Sequence, residues 1–189
     1  MQHYSNKPKR LRRAESVLVV IDFQERLAPA MHDGEASATE ASKLIKGFEA
    51  LGLPVLVTQQ YTKGLGESLS QIKDSFASFS HIEKSAFSAM GEPNFVSALE
   101  QTGRRAVVLC GIEAHVCVLQ TALDMLEAGF DVFLATDAVS SRKERDKQPG
   151  VKRMIQAGVI PVTVESALFE LLDNDSKSDI FKMISKLIK

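Results

Sequence analysis

The chain is poor in the residues that most often carry metal and redox chemistry. It has two cysteines, Cys110 and Cys117, and four scattered histidines, His3, His32, His81 and His115. No CxxC, HExxH, C2H2 or EF-hand spacing occurs, so the familiar metal and redox motifs are excluded. Two cysteines do not make a disulfide framework, and with no secretion signal evident they point to a reducing, cytoplasmic compartment. No apolar run approaches the ~18 residues of a membrane span, so no membrane partner is expected. Lysine plus arginine number 23 against 24 acidic residues, a net charge of −1, which makes no global case for nucleic acid. Repeats and low-complexity segments are absent. The glycine-containing loop Lys63 to Gly66 lacks the GxxxxGK[ST] spacing of a phosphate cradle.

What is present is a regular alternation. At 189 residues the chain suits one domain with a sizeable core. Residues 1–14, basic and without an apolar anchor, read as a flexible tail, and 15–189 as the domain. Ser16 to Phe23, Leu53 to Thr58, His81 to Lys84, Arg105 to Cys110, Asp131 to Thr136 and Val159 to Thr163 read as six strands. Helical spacing lies between them, at 37–51, from Pro93 to Gly103, at 116–127 and at 150–157. Two closing helices follow, Ser166 to Leu172 and Asp179 to Lys189. Ser140 to Lys147 reads as a charged, solvated stretch, at least in part loop. Strand–helix alternation with short connections predicts an α/β fold, a mostly parallel sheet with helices on both faces. The loops after the strands then gather at one edge, which brings Asp22, Gln59 to Tyr61, Lys84, Cys117 and Asp137 toward one pocket. The last helix is amphipathic (Ile180, Phe181, Ile184, Leu187, Ile188), a stripe that suits its own domain or a subunit interface.

The chemistry centres on VVLCGIEAHVC, Val107 to Cys117. A buried strand ends at Gly111, a turn follows, and Cys117 opens a helical pattern. Backbone N–H groups and a helix N-terminus favour a thiolate there. Cys110, inside the apolar run, reads as core. A cysteine nucleophile needs a base or a cation. His115, two residues away, need not point the same way and reads as a pocket-lining residue. Asp22, which ends the first apolar run, and Lys84 are the other choice. The carboxylate would take the thiol proton, and the ammonium would stabilise the anion.

VLVVIDFQ, the lysine of IEKSAF, LCGIEAHVCV and DVFLATDAVSSR resemble the isochorismatase-like cysteine hydrolases. Within that family TQQYTKGLG, KSAFSAM and DAVSSR look most like the isochorismatase-domain-containing subgroup. The resemblance runs from about Ser16 to Leu172. It implies a three-layer α/β/α sandwich with a six-stranded parallel sheet in the order 3-2-1-4-5-6. It implies a triad of Asp22, Lys84 and Cys117. It also implies a cis peptide between Ile112 and Glu113, with the N–H groups of Glu113 and Cys117 holding an oxyanion. Phe23, Gln59, Gln60, Tyr61, Phe87 and His115 are then expected to line the substrate pocket. The nicotinamidase metal ligands that follow strand two in some members are replaced here by Gln59, Gln60 and Tyr61, so no metal and no cofactor is expected. The function implied is hydrolysis of a small amide or related C–N bond through a cysteine thioester. The alternatives are vinyl ether hydrolysis of isochorismatase type, or a non-catalytic or redox-responsive ligand-binding protein. The partners implied are a small-molecule substrate and further copies of the chain.

Overall fold

The β-branched runs become the strands of one sheet. The computed structural model describes residues 8–173, 175 and 177–189. β1 is Ser16–Ile21, β2 Val55–Gln60, β3 Ile82–Lys84, β4 Ala106–Ile112, β5 Asp131–Ser140 and β6 Ile160–Val162. All six pair in parallel in the order β3-β2-β1-β4-β5-β6, as expected. Parallel strands buried on both faces need apolar side chains on both faces, which accounts for the unbroken runs in β1 and β4.

Helices cover both faces. α1 (Gly34–Ala50), α7 (Val164–Leu172) and α8 (Asp179–Leu187) pack on one, where Leu18 and Val20 of β1 meet Leu44, Phe48 and Leu168. α4 (Pro93–Gln101), α5 (Leu119–Glu127) and α6 (Glu144–Ala157) pack on the other, where Val17, Val19 and Ile21 meet Phe95, Met125 and Met154. The apolar stripe of α8 lies against its own domain, with Ile184 fully buried and Ile180, Phe181 and Leu187 packed on the first core. Two one-turn helices, α2 (Thr62–Leu65) and α3 (Ser70–Lys73), fill the β2–β3 connection.

Three departures from the expected pattern matter. The helix expected from Gly150 begins at Glu144, so much of the charged stretch is helical. Glu144 and Asp146 suit its first turn by complementing the helix dipole. Gly150 lets α6 lie directly on the backbone of His115, since a Cβ there would come within 2.9 Å of the His115 Cα. The helix expected from Val116 opens instead with a π-helical turn, Ala114–Val118, before α5 begins. The third concerns the tail. Its first seven residues lie outside the described residues, but residues 8–14 are tied down. Leu11 is buried and its N–H donates to Glu170, while the Arg13 guanidinium donates to the Leu171 carbonyl at the end of α7, 2.8 Å away. A tail was expected because the segment shows no apolar run; a single leucine and one helix-capping arginine suffice to anchor it.

Candidate active site

The carboxyl ends of β1, β2, β3 and β4 meet at one edge, and each delivers a polar group. Asp22 follows β1 with φ 53°, the left-handed region that Asp tolerates better than most residues. That turn lets its N–H donate to the Thr58 carbonyl, while the Thr58 hydroxyl donates to Asp22 Oδ1 at 2.8 Å. Lys84 ends β3, fully buried, with its Nζ 2.7 Å from Asp22 Oδ2. Cys117 stands in the π turn after β4, 6% exposed, its thiol facing Asp22 and the Glu113 N–H. The structure therefore brings Asp22, Lys84 and Cys117 together from three separate connections.

Gly111 makes the approach of β4 to β1 possible. Its φ is 144°, and a Cβ there would collide with the Ile21 carbonyl oxygen and Cα. The Ile112–Glu113 peptide that follows is cis.

Burial governs the electrostatics. It pushes the Asp22 carboxyl above the usual range, opposed by the Lys84 ammonium, the Thr58 hydroxyl and the Cys117 thiol. Burial, and next the Asp22 charge, push the Cys117 thiol up to about 12, with Lys84 and the Glu113 N–H pulling the other way. Both shifts favour the neutral thiol over the thiolate expected from a helix N-terminus. Cys110 is fully buried and its thiol is also pushed up by burial, which suits a core residue.

A cavity of about 420 Å³, lined among others by Phe87, Glu113, His115, Val116 and Arg142 and by none of the triad itself, adjoins the chain on either side of Cys117 and Lys84. Glu113, His115 and Val116 flank Cys117 in the chain, and Phe87 carries a carbonyl that accepts from Lys84. His115 Nδ1 shares a hydrogen bond of 2.9 Å with Ser141 Oγ, and Arg142 pairs with the Glu113 side chain at 3.2 Å. A larger open recess of about 950 Å³ lies between Ala28–Glu40 and Asp137, but no member of the triad lines it.

The expected pocket residues separate. Phe87 and His115 line the cavity. Gln60 reaches Lys84, with its Oε1 2.6 Å from Nζ. Gln59 points to the opposite face of β2, buried against Ser68 and Thr62, so it does not line the cavity. Tyr61 is 57% exposed and Phe23 lies in the core; neither is on the cavity wall. Asp137 accepts the Val164 N–H at the start of α7, away from the triad. A break in β5 pairing, where Leu109 opposes Leu134 but Gly111 opposes Val139, swings it aside. Thr58 was not expected, although sharing one face of β2 with Gln60 is the period-2 signal that marks it. Among the described residues, His32, Asp33 and Glu144 bring ligand-type atoms within 4.8 Å of one another. The two acids stand at the starts of α1 and α6, where helix dipoles favour negative charge without any ion.

Residues 16–166 match the isochorismatase domain family. The chain belongs to the isochorismatase family. Isochorismatase domain-containing protein 1 of Salmo salar is 37% identical over 93% of the chain, which spans 62% of that relative's length. The MAR1 ribonuclease of Caenorhabditis elegans superposes with a TM-score of 0.88 at 39% identity, covering 95% of this chain and 92% of that one. The YcaC protein of Escherichia coli, described as an octameric hydrolase of unknown specificity, has a TM-score of 0.88 at 26% identity and covers 96% and 92%. Among the described residues no helix is long and apolar enough to cross a membrane.

Proposed function

We propose that this isochorismatase-family chain is a cysteine hydrolase that cleaves a small amide or related C–N bond with Asp22, Lys84 and Cys117. The observation that carries the reading is the buried Asp22–Lys84 ion pair set against the Cys117 thiol. Buried charges are costly to keep, and a pair abutting a nucleophile beside a small cavity has a chemical use. Asp22 takes the thiol proton as Sγ attacks the substrate carbonyl. The oxyanion that forms is held by backbone N–H groups of the Glu113–Cys117 turn. Asp22 then passes its proton to the leaving amine, and the C–N bond breaks to leave a thioester. Water, deprotonated by Asp22, attacks the thioester; the acid leaves and the proton returns to Cys117. The balance is amide plus water to acid plus amine, with no redox partner. The last residues of β2 suit this metal-free course, because the side-chain amides of Gln59 and Gln60 are engaged with Ser68 and Lys84.

The reducing, cytoplasmic setting and a homo-oligomeric state belong to the same proposal. The free thiols Cys110 and Cys117 support the first. The octameric YcaC neighbour supports the second.

The test is a panel of small amides and ureides read by ammonia release, with vinyl ethers read by product formation and an RNA oligonucleotide read by cleavage. Wild type and Cys117→Ala are run side by side. Release of ammonia by wild type and loss of at least about 1000-fold in Cys117→Ala is the expected result. Undiminished turnover by Cys117→Ala, with Asp22→Asn inactive, would overturn it in favour of vinyl ether chemistry.

A further inference from the structure

Lys84 is bound more completely than an ion pair requires. An ammonium has three N–H donors. Three aligned acceptors surround Nζ: Gln60 Oε1 at 2.6 Å, the Phe87 carbonyl at 3.1 Å and the Ala86 carbonyl at 3.2 Å. Asp22 Oδ2 lies 2.7 Å away, yet no directed hydrogen bond reaches that oxygen. Asp22 Oδ1 is already occupied by the Thr58 hydroxyl. The carboxylate thus feels the charge of Lys84 while Oδ2 stays open to the thiol proton. Gln60 is the one side chain among the three acceptors. Its own amide is fixed by an Nε2–H bond of 2.8 Å to the Ser85 carbonyl, which settles that Oε1 faces the ammonium.

We propose that Gln60 is a positioning residue for the reaction: it occupies a Lys84 N–H that would otherwise turn to Asp22 Oδ2, and so keeps that oxygen available as the base. This rests on the cysteine-hydrolase reading above. The same ammonium fastens the 84–87 loop through Ala86 and Phe87, so Gln60 also holds the cavity wall that carries Phe87. The ionisable groups facing Lys84 and Asp22 are each other and Cys117. Glu83, the neighbour on β3, bonds the Thr62 N–H, and Glu113 pairs with Arg142 at the cavity mouth.

The test needs no known substrate. Wild type, Gln60→Glu and Gln60→Met are alkylated with iodoacetamide from pH 5.5 to 10, with Cys117 and Cys110 quantified separately by peptide mass spectrometry and folding checked by thermal unfolding. Gln60→Glu preserves shape but adds a like charge beside Asp22 and the developing thiolate, so the Cys117 alkylation rate is expected to fall by about tenfold across the range. Gln60→Met frees an N–H to bond Oδ2, and Cys117 alkylation at pH 7 is expected to slow by about tenfold. A folded Gln60→Glu protein with the wild-type Cys117 alkylation rate would overturn the proposal. Should that variant not fold, a wild-type alkylation rate in Gln60→Met overturns it. A wild-type Cys117 alkylated at pH 7 no faster than that of Asp22→Asn would instead overturn the hydrolase reading, and this inference with it.

Discussion

In the proposed mechanism the base is a single oxygen. Asp22 Oδ1 takes the Thr58 hydroxyl and Oδ2 sits against the Lys84 ammonium, so only Oδ2 is placed to receive the Cys117 proton. With the thiol held up to about 12 by burial and by the Asp22 charge, spontaneous ionisation at neutral pH supplies little thiolate. Asp22→Asn is therefore expected to slow Cys117 alkylation at pH 7 by about 100-fold or more, measured as the pseudo-first-order rate with iodoacetamide. Gly111 is the second residue on which the site turns. Gly111→Ala forces a Cβ into the Ile21 backbone at a positive φ, and thermal or urea unfolding should show a loss of about 2 kcal/mol or more. Asp22 was legible in the sequence as the acid that ends an apolar strand, and Cys117 as the thiol after a strand and a glycine. The parts played by Thr58 and Gln60 were not legible. A three-residue polar run at a strand end has a period of two, and the sequence does not say which phase faces the site.

At the scale of elements, the site is built from strand ends and then closed by neighbouring segments. α6 lies on the Cys117 turn through Gly150, and the 84–87 loop is fastened by Lys84. The segment before β1 clamps the far end of α7 through Leu11 and Arg13. Leu11→Ala should cost about 2–4 kcal/mol in denaturant unfolding while leaving Cys117 alkylation unchanged, because Leu11 is fully buried but remote from the triad. The six strands and most helices could be read from apolar runs and helical spacing. The start of α6 and the π turn could not: the charged residues that open α6 carry no apolar spacing, and the contact of Gly150 with His115 joins parts of the chain separated by α5 and β5. Asp137 went astray for a related reason: irregular pairing within β5 moves it from the ligand edge to the head of α7.

For the whole molecule, two buried thiols, Cys110 in β4 on one core and Cys117 in the π turn on the other, set an alkaline limit. Burial raises both Cys110 and Cys117 above the usual thiol range, so the folded state keeps protons that the unfolded chain releases near pH 9. Above that pH the unfolded state binds fewer protons than the native one, and stability falls as pH rises, by about 1.4 kcal/mol per pH unit for each such thiol. Thermal unfolding between pH 8 and pH 10.5 should show a steep drop for wild type. The drop should be shallower for Cys110→Ala/Cys117→Ala, once each is referred to its own stability at pH 8. An equal slope in the two proteins would mean that other groups set the limit.

In the proposed reaction Cys117 carries the acyl group during turnover. The most direct measurement is peptide-mapped mass spectrometry of enzyme quenched in acid while turning over the best amide of the substrate panel. The predicted result is an acyl mass on the Cys117 peptide, absent from the Cys110 peptide and from Cys117→Ser. Turnover with no adduct in wild type, together with undiminished turnover by Cys117→Ala, would contradict the account.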